Sequence, residues 1–222
     1  MIEHGIQLDH LREARLGFDE AVYAAGKTVA QLDALIANAI EMRARRLFTR
    51  LPQEKFDALA GIHREALDYD PLSRTAFAGE LRPRAGEARV AVITGGSSDV
   101  GVSREAARTL EFYGQASVHM PDIGVAGLWR LLARMEELKR MRVVIVVAGM
   151  EGALPSVVAG LVPGVVIALP TSVGYGVSEG GHAALASALA SCAPGLLTVN
   201  IDNGYGAACA ALRVLAPSRG GT

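Results

Sequence analysis

The second half of the chain alternates short apolar runs with longer stretches of helical periodicity. The runs are rich in valine and isoleucine and are continuously apolar. Such runs are typical of parallel strands buried on both faces, and a helix after each strand is the connection that a parallel sheet needs. The pattern predicts an α/β domain with a five-stranded parallel sheet. The predicted strands are 89–94, 116–120, 142–148, 165–169 and 196–200, followed by helices at about 102–114, 125–140, 152–161, 179–192 and 204–214.

The first 85 residues show mostly helical spacing. Thr28 is a suitable N-cap, apolar positions then recur every three or four residues, and the basic residues up to Arg50 suit a helix C-terminus. We predict a helix over 27–50 and a second, short one over 52–60. The predicted organisation is a smaller, mostly helical N-terminal domain at 1–85, an α/β domain at 86–216 and a flexible tail at 217–222.

Composition narrows the class of protein. The chain has 222 residues, half of them hydrophobic, and a net charge of −1. This balance excludes global disorder and argues against a basic nucleic-acid-binding face. Two cysteines form neither a disulfide framework nor a zinc site, and we find no membrane span and no secretory signal. We therefore expect a cytoplasmic protein with no nucleic-acid or membrane partner.

Ligands of open α/β sheets bind beyond the carboxyl ends of the strands, which selects five loops here. These loops hold many of the glycines and most of the isolated polar residues of the domain. The candidate substrate-binding residues in them are Thr94, Gly95, Ser97, Ser98, Asp122, Gly149, Met150, Ser172, Gly174, Tyr175, Gly176, Asn200, Asp202 and Asn203.

The first loop, TGGSSDVG, joins a strand to a helix and can cradle an anion with backbone amides and hydroxyls. It imitates the glycine loop of short-chain dehydrogenases, but Asp99 replaces the middle glycine and Glu179 stands where the lysine partner of Tyr175 is needed. We reject that interpretation. Asp99 either caps the helix or acts on a ligand.

Two further residues have alternative interpretations. Glu151 follows a strand in uncharged surroundings, where partial desolvation would raise the pKa of its carboxyl and suit proton transfer, although it could simply cap the next helix. Cys192 closes a helix of small residues and is either an inert core thiol or a reactive one. In the loop NIDNGYGAA, a single carboxylate is too few for a dedicated metal cage, but a Mg²⁺ that bridges phosphates is conceivable.

Several stretches together resemble the LarB family, the nicotinic acid adenine dinucleotide carboxylase/hydrolases of nickel-pincer cofactor synthesis. These stretches are TGGSSD, PDIGVAGLWRL, VVAGMEGALPSVVAGL, PTSVGYGVSEGGHAALASALASCAPG and VNIDNGYGAA, with looser likeness in LDHLREARLGFDEAVYAAGKT and LDYDPLSRTA. The resemblance implies a flavodoxin-like three-layer sandwich and a homo-oligomer, expected to be an octamer. It also implies C5 carboxylation of the pyridinium with CO2 or bicarbonate and cleavage of the phosphoanhydride, with no tightly bound cofactor.

The resemblance also suggests roles for particular residues. The cysteine of the family's SCAPG stretch matches Cys192, which would be the nucleophile, with Glu151 as the base and Asp99 as a further catalytic candidate. Between 143 and 212 the chain has no Lys or Arg. The positive charge for an anionic dinucleotide must therefore come from the N-terminal domain, a neighbouring subunit or a metal ion. We nominate four residues in the N-terminal motifs, with solvated helix faces as the alternative: Arg12, Arg15, Lys27 and Arg74.

Two other functions compete with this one. The fold also resembles aminoimidazole ribonucleotide carboxylase of purine synthesis, but that enzyme has histidines in the loops that here read PDIGVAG and MEGALPS. A non-catalytic dinucleotide-binding module is the third possibility, distinguished by whether loss of Cys192 abolishes activity while binding is retained.

Overall fold

The computed structural model describes residues 5–9 and 11–216, and these divide into two compact units. The first unit ends at Pro83 and the second begins at Arg84. The tail expected at 217–222 lies outside the described residues. Within the described ranges, no helix is long and apolar enough to cross a membrane.

The N-terminal unit combines helices with a four-stranded sheet of order β1-β2-β4-β3, in which only the β1–β2 pair is parallel. Leu32, Leu35 and Ile36 of its longest helix pack with Phe48 of the sheet in one apolar core. The strands are β1 (Val22–Tyr23), β2 (Arg46–Thr49), β3 (Leu67–Asp70) and β4 (Thr75–Ala78), and the helices are α1 (Arg12–Leu16), α2 (Val29–Glu41), α3 (Gln53–Asp57) and α4 (Gly61–Glu65).

The expectation of a mostly helical N-terminal domain missed this sheet. The Thr28 cap is confirmed, since its hydroxyl accepts a hydrogen bond from the Gln31 N–H in a capping box. The helix ends at Glu41, however, and β2 begins at Arg46, inside the basic stretch assigned to the helix C-terminus. Strands of two to four residues show no measurable periodicity, and β2 pairs with a strand about thirty residues away, so the sequence carried little local signal for them.

The C-terminal unit contains the predicted parallel sheet of five strands, in the order β6-β5-β7-β8-β9. In chain order this is 2-1-3-4-5, the flavodoxin-like arrangement. The strands are β5 (Ala85–Thr94), β6 (Gln115–Met120), β7 (Val143–Ala148), β8 (Val165–Pro170) and β9 (Leu197–Thr198), and the helices are α5 (Val100–Phe112), α6 (Leu128–Leu132), α7 (Met135–Leu138), α8 (Ala153–Ala159), α9 (His182–Leu189) and α10 (Gly204–Leu215).

Alternate residues of the central strand β7 face opposite layers. Val144 and Val146 belong to a core shared with residues of α6, α7 and α8, whereas Val143 and Ile145 belong to a core shared with residues of α5 and α10. Both faces of the sheet are therefore covered, and the predicted three-layer sandwich is confirmed. The helix predicted over 125–140 is broken into a 3₁₀ turn at Val125–Gly127 followed by α6 and α7.

Candidate active site

A cavity of about 600 Å³, called here the main pocket, opens at the carboxyl ends of β5 and β7. These neighbouring strands lie where the strand order reverses, the usual ligand position in such sheets. Eight predicted site residues line this cavity. They are Gly95, Ser98, Asp99, Gly149, Met150, Glu151, Gly174 and Tyr175, joined by Gly96, Gly124, Val125, Ala126, Arg130, Ala148, Ala153, Leu154 and Val173.

Asp99 is the buried carboxyl group of the main pocket, with 4% of its surface exposed. Its Oδ1 accepts a hydrogen bond from Thr171 Oγ1 at 2.6 Å, and its Oδ2 accepts one from the Gly96 N–H at 2.9 Å. Burial raises the pKa of the Asp99 carboxyl, and these hydrogen bonds partly oppose that shift. The side chain makes no capping hydrogen bond to α5, so Asp99 does not cap that helix through its carboxylate. Its action on a ligand stays a prediction.

Glu151 lies in the same pocket but is exposed. The expectation that Glu151 is partly desolvated is therefore wrong for this chain. The loop of Glu151 lies at the rim, whereas the Asp99 loop is covered by Thr171 from the end of β8. Thr171 lies within a predicted ligand loop but carries no distinctive signal in the sequence, since a single threonine after a strand is common.

Close approach of two loops explains a glycine at position 149. A Cβ there would lie 2.1 Å from the Val173 carbonyl oxygen, so only glycine lets the loops after β7 and β8 meet. The next residue, Met150, has a φ of 53° and donates its N–H to that carbonyl at 2.8 Å. Asp122 and Asp202 also have positive φ, and such strain concentrates at functional sites.

Arg130 of α6 supplies a cation that the sequence did not lead us to expect. Residues 143–212 contain no Lys or Arg, but Arg130, which precedes them, lines the main pocket, and its Nη1 donates to Asp122 Oδ2 at 2.6 Å. Its position soon after the second predicted ligand loop was the available signal. Among the described residues that line the pocket, Arg130 is the one cationic residue, and Asp99 and Glu151 are the acidic ones.

The loop after β9 uses its polar side chains to hold its own backbone. Asp202 Oδ1 accepts from the Ser172 N–H at 2.8 Å, Asn203 Oδ1 from the Gly206 N–H, and Asn200 Oδ1 from the Ile201 N–H. None of these three residues is among those that line the main pocket. In the part of the chain that the structure describes, no group of three or more His, Cys, Asp or Glu is arranged to hold a metal ion. These donors do not fit a dedicated Mg²⁺ site.

Cys192 is exposed and lines a different cavity of about 450 Å³, called here the thiol depression. Ser191 Oγ lies 2.7 Å from Ser156 Oγ, which holds this end of the α9 segment beside α8. Cys192 therefore lies in a separate cavity from Asp99 and Glu151. The thiol depression is lined by Ala188, Leu189, Ser191, Cys192, Ala193, Pro194, Gly195, Leu196, Leu197 and Thr198.

The other predicted residues have defined positions. Thr94 is buried, and its Oγ1 donates to the Gly96 carbonyl and accepts from the Asp122 N–H, both at 2.9 Å. Ser97 and Gly176 are exposed, and each begins a 3₁₀ helix.

The four nominated cations belong to the N-terminal unit. Arg15 pairs with Asp9 at 2.5 Å, which lowers the pKa of that carboxyl. Arg12 begins α1, Arg74 lies between β3 and β4, and the Lys27 carbonyl accepts from Lys55 Nζ at 2.6 Å. The role of these cations in substrate binding stays a prediction.

Comparison with known proteins identifies related sequences and structures. The chain is 36% identical over 215 residues to an uncharacterized protein of Methanocaldococcus jannaschii, an alignment that covers 93% of this chain and 82% of that one. Crystal structures of Treponema denticola PurE2, as a variant, and PurE are 25% and 27% identical, both with a TM-score of 0.48. They cover 57% and 60% of this chain and 78% and 80% of theirs.

Two family models match consecutive parts of the chain. The LarB/PurE-like N-terminal domain matches residues 4–80, and the AIR carboxylase model matches residues 89–220. The second range contains the parallel sheet except the first residues of β5, and it also contains the main pocket and Cys192. The second match alone spans more than half of the chain, and the protein therefore belongs to the AIR carboxylase family, with a carboxylase-type function and a LarB/PurE-like N-terminal domain.

Proposed function

We propose that the protein carboxylates C5 of the pyridinium ring of nicotinic acid adenine dinucleotide and hydrolyses its phosphoanhydride. The dinucleotide, CO2 and water would give pyridinium-3,5-biscarboxylic acid mononucleotide, AMP and a proton. The observation that carries the proposal is the composition of the main pocket. Its described lining has two carboxyl groups and a guanidinium but no imidazole.

The charge of the substrate ring explains why this composition matters. An amino-imidazole is electron-rich and can attack CO2 unaided, whereas a pyridinium is electron-poor and needs an added electron pair first. The Cys192 thiolate would add to C4 and form an enamine whose C5 attacks CO2. A base would then remove the C5 proton, and the thiolate would leave C4, restoring the aromatic ring.

Two carboxyl groups are available for the proton transfer. Glu151 is exposed at the rim and is the candidate base. Burial raises the pKa of the Asp99 carboxyl, which favours its protonated form and suits it to donate a proton. Tyr175, 77% exposed, and the glycines beside it offer a surface for a flat ring. A cavity of about 600 Å³ lies within the range of small-molecule sites.

The separate position of Cys192 requires a second copy of the chain in this proposal. The thiol lines a cavity apart from Asp99 and Glu151, and the Ser191–Ser156 contact holds its segment there. We infer that a neighbouring copy brings its Cys192 to the main pocket, which makes a homo-oligomer, and on the family resemblance an octamer, part of the mechanism. Mg²⁺, where used, would arrive on the substrate phosphates, since the described donors do not form a site for it.

Purine-pathway carboxylation of aminoimidazole ribonucleotide is the second candidate, favoured by the AIR carboxylase match over 89–220. Incubation of the purified protein with the dinucleotide and ¹³C-bicarbonate, with products read by mass spectrometry, separates the two. We expect a labelled biscarboxylated mononucleotide and AMP. A folded protein that makes neither product, but consumes carboxyaminoimidazole ribonucleotide, would refute the proposal and support the purine reaction. Binding of the dinucleotide without turnover of either substrate would favour the binding module.

A further inference from the structure

The Arg130 guanidinium lies against Gly127 at the wall of the main pocket, and this position, called here the seat, is open because residue 127 has no side chain. A Cβ at Gly127 would lie 2.7 Å from Arg130 Nε and 3.2 Å from Arg130 Cζ, so the guanidinium packs directly against the Gly127 backbone. The φ of Gly127 is −117°, outside the left-handed region. At this position glycine therefore supplies space rather than an unusual backbone conformation.

A second contact fixes the direction of the guanidinium. Arg130 Nη1 donates to Asp122 Oδ2 at 2.6 Å, and the Asp122 N–H donates to Thr94 Oγ1 at 2.9 Å, at the end of β5. The backbone of the residue that orients Arg130 is thus hydrogen-bonded to the end of a central strand. Two restraints from different residues hold one side chain at the pocket wall, where 29% of it is exposed.

The charges around the pocket make this side chain decisive for an anionic ligand. The carboxyl groups of Asp99 and Glu151 line the same cavity. Among the described lining residues, Arg130 is the one with a positively charged side chain. A guanidinium carries five N–H groups in a planar fork, so one carboxylate partner leaves further donors for a ligand. Such a fork binds phosphate or carboxylate groups through paired, charge-assisted hydrogen bonds.

We propose that Arg130, seated on Gly127 and oriented by Asp122, is the anion-binding residue of the main pocket and takes a phosphate or the ring carboxylate of the substrate. The identity of that substrate rests on the proposed function. The anion subsite itself is defined by the seat, the orienting carboxylate and the charges of the pocket.

The test measures binding of three probes to the full chain by calorimetry. The first is the dinucleotide, the second is AMP, whose anionic group is a phosphate, and the third is nicotinic acid riboside, whose anionic group is the ring carboxylate. Arg130→Gln removes the charge, and we expect it to weaken dinucleotide binding by roughly tenfold to a hundredfold. Gly127→Ala keeps the charge but pushes the guanidinium off its seat, so we expect a smaller loss in the same probes.

Two matched controls separate this effect from general damage. At Gly160 the nearest atom to an added Cβ is 3.6 Å away, and Arg134 pairs with Glu137 on the surface. We expect Gly160→Ala and Arg134→Gln to leave binding within about twofold of the wild type, since neither residue lines the main pocket. Thermal unfolding of each variant verifies that it is folded.

The fragment that loses affinity with Arg130→Gln identifies the group that Arg130 binds. Unchanged dinucleotide binding, a loss seen with neither fragment, or a wild type that binds none of the probes would each overturn the inference. If the wild type converts the dinucleotide while Arg130→Gln binds normally, the inference fails and the proposed function stands. If the wild type makes no product but binds AMP or the riboside through Arg130, the proposed function fails and the anion subsite stands.

Discussion

The main pocket and the thiol depression divide the chemistry of the C-terminal unit between two places. The main pocket lies at the carboxyl ends of the strands and contains Asp99, Glu151 and Arg130. The thiol depression lies where the chain has passed down α9 and approaches β9, and its described lining includes Cys192 but no charged residue. Helices that follow parallel strands run back along the sheet, so a residue after such a helix is carried away from the ligand edge. The candidate acid–base residues Asp99 and Glu151 are therefore apart from Cys192 within one chain.

The largest expected effect tests whether the thiol depression takes part in the reaction at all. Cys192→Ala should lower kcat for dinucleotide carboxylation by at least about a thousandfold, as loss of a nucleophile does in other covalent enzymes. Dinucleotide affinity should change little, because the variant leaves intact the residues proposed to hold the dinucleotide in the main pocket, such as Arg130 and Tyr175. Cys209→Ala, which removes the other thiol, is the control. Full activity of the Cys192 variant would remove the thiol depression from the mechanism.

The next effect tests whether two copies share a site. Cys192→Ala and Glu151→Gln should each be nearly inactive, but mixed oligomers should regain about a quarter of wild-type activity if each site takes one residue from each copy. Activity is measured after co-refolding or co-expression of equal amounts. A mixture of Glu151→Gln with Asp99→Asn should regain nothing, since both residues line the main pocket of one chain. No recovery in the first mixture would mean that the thiol acts within its own chain.

The smallest effect concerns the buried carboxyl group of the main pocket. Burial raises the pKa of Asp99 in the folded protein, so the unfolded chain ionises first as the pH rises above about 4. Folding stability from this group is thus fully present at low pH and is lost as the pH rises through its folded pKa. Asp99→Asn removes this loss, which amounts to about 1.4 kcal/mol for every tenfold difference in acid dissociation constant between the unfolded and the folded chain.

Urea unfolding of both proteins at pH 4.5 and 7.5, at equal concentration, measures that effect. The free energy of unfolding of Asp99→Asn relative to the wild type should increase with pH, since other titrating groups cancel in the comparison. A relative stability that stays constant or decreases would contradict a raised pKa at Asp99.

The sequence predicted the C-terminal unit far better than the N-terminal one. Strands such as β7 and β8 are six residues long, continuously apolar and followed by helices, so each run carries its own signal. In the N-terminal unit, Arg46 belongs to a four-residue strand that pairs with a residue thirty-two positions further along. The Arg46 guanidinium is buried, and burial lowers its pKa. From the sequence alone, an arginine at this position is typical of the solvent-exposed C-terminus of a helix.

The same contrast applies within the candidate site. Apolar runs and glycine-rich loops by themselves determined the sheet, its ligand-binding edge and eight of the residues in the main pocket, because these depend on short stretches of chain. Tertiary packing alone decided that Asp99 is buried under Thr171 while Glu151 is exposed, that Arg130 fits against Gly127, and that Cys192 lines a second cavity. Burial, close approach and separation are properties of residues distant in sequence, and no local pattern records them.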